Sequence, residues 1–167
     1  MKRTLLLIAA AVLAVAATAS AQSAIFVVRH AERADAVSGG SAMMATDPDL
    51  SEIGRARAQS LAAALKDAGI TAIYTTEYKR TRQTAEPVAR ALGITATPVP
   101  ARDMPGLIEK LKAAAGNVLV VGHSNTVGDV IARLGVNEPV TLTEHDYDNL
   151  FVVVTGEKPT LVRLHFR

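Results

Sequence analysis

The chain has 167 residues, 49% of them hydrophobic and 20% charged, with a formal charge of +2, no cysteine and no tryptophan. The absence of cysteine excludes disulfides, thiolate metal sites and lipidation of a leader, and aromatic residues at 4% leave no basic stripe with stacking rings of the kind nucleic-acid binding uses. The fold must therefore be stabilised by its core alone, and a chain of this size is ordinarily one domain.

Residues 1–21 read as a secretory signal peptide: Lys2 and Arg3, an apolar run over 5–17, and the small-x-small site Ala19-Ser20-Ala21. The run is short and alanine-rich, so a cleaved leader is expected rather than a membrane anchor. The exported chain, 22–167, then forms a single domain without stable membrane insertion and with a formal charge near zero. A first strand is predicted over Ala24–Arg29, where the β-branched run ends abruptly at Arg29-His30. The segment 34–49, with Gly39-Gly40 and Asp47-Pro48, is a long loop of the kind that often carries function. Its pair Met43-Met44 reads as core filler. Ser51 caps a helix with Ile53, Ala56, Leu61, Ala64 and Leu65 on its apolar side, and Gly69 follows its end.

A second strand covers 72–75. A helix follows over 80–92, closed by Gly93, and Pro87 lies in it where a first-turn position and a kink are both open. A third helix is predicted over 105–115, a strand over 117–121, and a fourth helix from Ser124 or Asn125 to Leu134-Gly135. The tail reads as an antiparallel pair over 150–154 and 161–166. Strands alternating with helices predict an α/β fold with a mainly parallel sheet covered on both faces.

Three predicted strand ends deliver Arg or His: Arg29-His30, Arg80 beyond the run 73–76, and His123 beyond 118–121. Open α/β sheets bind ligands at the carboxyl ends of their strands, so these residues point to a phosphate-binding catalytic site. Arg82 competes with Arg80 from another helix face. His145 and His165 read as structural or solvent-facing, with His145-Asp146 a lesser candidate for the pocket rim, and Asp146 and Asp148 read as a solvated turn.

Four segments in order resemble the histidine phosphatase superfamily, the phosphoglycerate-mutase-like proteins. Arg29-His30-Ala31-Glu32 is similar to its Arg-His-Gly signature, with alanine where glycine is usual. Leu50-Ser51-Glu52-Ile53-Gly54 through Ala58 resembles its helix start, Thr76 through Ala85 its Ser-x-x-x-Arg-Ala-x-Gln-Thr-Ala segment, and Val121-Gly122-His123-Ser124 its second-histidine motif. The resemblance implies a three-layer α/β/α sandwich with a mixed sheet and one antiparallel strand. It also implies a phosphohistidine intermediate formed without metal or cofactor. His30 would be the nucleophile, Arg29 and Arg80 the phosphate arginines, and His123 the second pocket histidine. Either Asp103 or Glu32 would be the proton donor, Asp103 slightly favoured by its position between Arg80 and His123.

These residue types suit the chemistry. A neutral imidazole is a competent nucleophile near pH 7, and phosphoryl transfer is catalysed mostly by positioning and charge stabilisation. The helix that begins at Ser124 directs N–H groups to the same phosphate. The expected activity is that of an exported phosphatase acting on small phosphomonoesters, most similar to the short phosphohistidine-phosphatase branch. A mutase is disfavoured by the short interval between Arg80 and His123, which lacks room for a cap. A binding module without catalysis is a minority reading, because the pocket residues are retained. A metal hydrolase using His30, His123 and His145 is disfavoured by the adjacent arginines.

Overall fold

The computed structural model describes residues 23–36 and 46–167. The leader, Gln22 and the loop residues 37–45 with Met43-Met44 lie outside the described residues. A six-stranded sheet comprises β1 (Ala24–Arg29), β2 (Ile70–Thr75), β3 (Thr97–Pro98), β4 (Asn117–Gly122), β5 (Asn149–Val154) and β6 (Thr160–His165), in the order β3-β2-β4-β1-β5-β6. The pairings of β1 with β4, β4 with β2 and β2 with β3 are parallel; β5 runs antiparallel to β1 and to β6. One strand thus opposes the other five, as expected. The helices are α1 (Glu52–Leu65), α2 (Lys79–Leu92), α3 (Met104–Ala113) and α4 (Ser124–Arg133). Among the described residues no helix is long and apolar enough to cross a membrane.

Alternate side chains of the central strands enter opposite cores. Val27, Val118 and Val120 pack with Ile108, Leu111, Val127 and Ile131 of α3 and α4. Val28, Leu119 and Val121 pack with Leu61, Leu65, Ala85 and Val88 of α1 and α2. Burial on both faces explains why these strands read as unbroken β-branched runs. The result is the three-layer sandwich.

Ser51 caps α1 as expected, accepting from the Gly54 N–H at 3.0 Å. The buried face of that helix differs from the expected one. It is Gly54, Ala58, Leu61 and Leu65, whereas Ile53 (57% exposed), Ala56 and Ala64 face outward. Gly54 lies so close to the Glu32 carbonyl that an added Cβ would overlap it. The close approach selects a small residue, which a hydrophobicity pattern does not mark. Pro87 sits in the interior of α2, and the helix runs on to Leu92. Gly93 ends it at φ 66°, a left-handed turn that favours glycine.

Candidate active site

The carboxyl ends of β1 and β4 lie side by side, with Arg29 in register with Gly122 and the His30 N–H donating to the Gly122 carbonyl at 2.9 Å. Arg29 and His30 are each 4% exposed and His123 8%. The two imidazole centroids are 5.4 Å apart. Arg80, in the first turn of α2, reaches His123 Nδ1 at 3.4 Å. Arg29, His30, Arg80, His123 and Ser124 line one cavity of about 370 Å³, together with Arg33, Tyr78, Ala101, Arg102, Asn125, Thr126 and Glu144. The expected convergence is therefore present. Arg82 is exposed and outside it.

Hydrogen bonds define both tautomers. His30 Nδ1 lies 2.8 Å from the Ala31 carbonyl, which can only accept, so Nδ1 carries the proton and Nε2 keeps its lone pair. His123 Nδ1 faces the Arg80 guanidinium, which can only donate, so its proton resides on Nε2 and is given to Thr76 Oγ1 at 3.1 Å. Thr76 in turn donates to Thr81 Oγ1 at 2.9 Å, and Thr81 donates to the Tyr78 carbonyl at 2.8 Å. The conspicuous Gln83-Thr84 pair is scaffolding. Thr84 accepts from the Ala31 N–H at 2.9 Å, and Gln83 accepts from the Leu50 N–H at 2.8 Å. Ala31 itself is buried with Leu50 and Ala58, where its methyl fits.

Neither expected proton donor lines the cavity. Asp103 is exposed and caps α3, accepting from the Gly106 N–H at 3.0 Å. Glu32 turns to α1 and takes Arg57 Nη2 at 2.6 Å and Nε at 2.8 Å. An Asp103→Ala variant is therefore expected to lose about 1 kcal/mol of stability through its cap. Its rates on alkyl and aryl phosphates should fall by the same factor or not at all. A selective loss on alkyl esters would restore Asp103 as an acid.

Beside Asp146 and Asp148, which the sequence places in a solvated turn, Thr143, Glu144 and Tyr147 reach the site. Arg29 Nη1 donates to the Thr143 carbonyl at 2.8 Å, and Nη2 to Glu144 at 3.0 Å and to Tyr147 Oη at 3.3 Å. His145 is exposed, and Asp146 is held by the N–H and hydroxyl of Thr143, which keep its carboxyl below the ordinary range. His165 is exposed and lies 3.3 Å from Asp148. The reading of 145–146 as the rim missed by one residue on each side.

Burial pushes His30 from 6.5 down to about 3; the Ala31 bond opposes this, while His123, Arg29 and Arg80 add to it. Burial and then Arg80 push His123 down to about 4. Burial, then Arg33, also lowers Arg80 from its ordinary value. Both imidazoles are neutral at pH 7. Below pH 6.5 the unfolded chain takes up protons that the folded one refuses, so stability falls as pH falls. The slope is roughly 1 kcal/mol per pH unit for each histidine. It levels off near pH 4 for His123 and near pH 3 for His30. Urea unfolding midpoints of wild type are expected to drop more between pH 6.5 and 4.5 than those of His30→Asn/His123→Asn. Parallel curves for the two proteins would refute this.

The profile of the histidine phosphatase superfamily (branch 1) matches residues 25–110. No curated protein matches the chain. Among solved structures, that of the protein histidine phosphatase SixA complexed with tungstate superposes with a TM-score of 0.68 at 22% identity, covering 85% of this chain and 96% of that one. A mycobacterial glucosyl-3-phosphoglycerate phosphatase complexed with VO3 superposes with a TM-score of 0.67 at 17% identity, covering 83% of this chain and 97% of that one.

Proposed function

The chain belongs to the histidine phosphatase superfamily, and from that premise we propose that it is an exported phosphatase that hydrolyses small phosphomonoesters through a phosphohistidine on His30. The observation that carries this reading is the His30 tautomer: Nδ1–H is tied to Ala31, and the Nε2 lone pair belongs to a ring in the cavity lined by Arg29 and Arg80. Nε2 attacks phosphorus as the ester P–O bond breaks, and the departing alkyl oxygen takes a proton from the solvent, which a nitrophenolate does not need. Water then attacks the phosphohistidine, releasing phosphate and returning the lone pair to Nε2. Arg29 and Arg80 stabilise the charge on the non-bridging oxygens. His123 braces Arg80 and forms the wall beside His30, and Ser124 lies at the cavity edge where α4 begins.

The first test uses p-nitrophenyl phosphate, whose leaving oxygen needs no proton. Residues 22–167 are expected to hydrolyse it in the presence of a chelator and to be inhibited by orthovanadate. Loss of activity on chelation would sink the metal-independent route. Export rests on Lys2-Arg3, the apolar run over 5–17 and Ala19-Ser20-Ala21. N-terminal sequencing of protein recovered from the periplasm or medium is expected to begin at Gln22. Protein confined to the cytosol and beginning at Met1 would remove export from the proposal.

A further inference from the structure

Each of the two pocket arginines lies against a tyrosine ring. Arg29 Cζ is 4.1 Å from the Tyr147 centroid, and Arg80 Cζ is 4.3 Å from the Tyr78 centroid. The same rings approach the histidines: Tyr147 and His30 centroids are 6.3 Å apart, and Tyr78 and His123 are 5.6 Å apart at 82°. The cavity is therefore flanked by two sets of like composition, Tyr147–Arg29–His30 and Tyr78–Arg80–His123. The tyrosines come from unrelated segments, one before α2 and one before β5.

A guanidinium carries all its donors in its plane, and an aromatic ring over its face attracts the charge without using any of them. The donors of Arg29 are partly used: Nη1 by Thr143, and Nη2 by Glu144 and the Tyr147 hydroxyl. Arg80 gives Nη2 to His123 and holds Nη1 3.8 Å from Asp47. In both residues Nε is buried and has no acceptor among the described residues. A buried N–H without an acceptor is costly, and the same atom is left over in both arginines.

We propose that Tyr147 and Tyr78 are positioning residues, which hold the Arg29 and Arg80 planes through their ring faces so that in-plane N–H edges are presented to a phosphoryl group. The proposal rests on the phosphatase reading above. Glu144, whose side chain is 79% exposed, is the anionic partner that exchanges for substrate on Arg29, while the buried face contact stays. A tetrahedral ground-state phosphate tolerates a tilted guanidinium better than the trigonal transition state does, since the latter engages both planes at fixed in-line geometry.

The test compares Tyr147→Phe, Tyr147→Leu, Tyr78→Phe and Tyr78→Leu in hydrolysis of p-nitrophenyl phosphate and in calorimetric binding of orthovanadate and inorganic phosphate. The phenylalanine variants are expected to keep kcat within about threefold. The leucine variants should lose about tenfold in kcat and in orthovanadate affinity, with KM and phosphate affinity changed less than about threefold. Tyr→Met, which matches length without a π face, replaces any leucine variant that does not fold and must show the same split. Leucine variants with wild-type kcat and orthovanadate affinity overturn the proposal, as does an equal loss in the phenylalanine and leucine variants, which would assign the effect to the hydroxyls. A wild-type protein that neither binds orthovanadate nor hydrolyses the ester overturns the phosphatase reading together with the clamp. Activity in wild type beside unaffected leucine variants overturns the clamp alone.

Discussion

His30→Ala is expected to reduce hydrolysis of p-nitrophenyl phosphate by roughly four orders of magnitude, the scale on which a nucleophile of a covalent mechanism is lost. It should also abolish an acid-labile, base-stable phosphoenzyme trapped by rapid quench with labelled substrate. The size of the effect follows from the absence, among the described residues, of a second imidazole with a free lone pair in the cavity. His123 is the other imidazole there, but its Nε2–H is given to Thr76 and its Nδ1 faces Arg80. It has no lone pair to spare unless Arg80 moves. Circular dichroism and a thermal melt establish that the variant is folded. A folded variant that still traps label, or turns over at the wild-type rate, would remove His30 from the mechanism.

The parts of the molecule that were legible in the sequence are those governed by local physics. The run Ile25–Val28 is buried on both sides, so its composition alone marks a central strand, and Ser51 and Gly93 mark helix ends by their own capping chemistry. The convergence of Arg29, His30, Arg80 and His123 was readable because parallel strands place their carboxyl ends together. Most of the differences arise where partners are distant; Asp103, whose partner is the Gly106 N–H three residues on, is the local exception. Ile53 was assigned to the core by hydrophobicity, but α1 is drawn close to the Glu32 backbone, and that contact favours Gly54 and Ala58. Asp103 lies in the expected interval, yet its carboxylate is used by the Gly106 N–H. Glu144 and Tyr147 look like turn residues. Only the antiparallel pairing that sets Leu150 opposite Val28 returns the preceding segment to Arg29. That pairing depends on residues more than a hundred positions away, beyond the reach of a local pattern.

Arg80→Lys is expected to lower kcat/KM by about two orders of magnitude, close to 3 kcal/mol of transition-state stabilisation, while Arg82→Ala stays within about twofold of wild type. Lysine keeps the charge but replaces a planar fork by a point donor. It cannot lie flat on Tyr78, donate to His123 Nδ1 and grip a phosphoryl oxygen at once. Arg82 is the control that matters, because the two arginines were nearly equivalent in the sequence. Two residues advance a helix by about 200°, so they occupy opposite sides of α2. Arg80 enters the cavity with 13% of its side chain exposed, whereas Arg82 faces solvent. Steady-state kinetics of the two variants therefore test the helix rotation as well as the chemistry. A reversal, with Arg82 needed and Arg80 dispensable, would mean that α2 presents its other face to the phosphate and that the cavity is drawn from the wrong side chains.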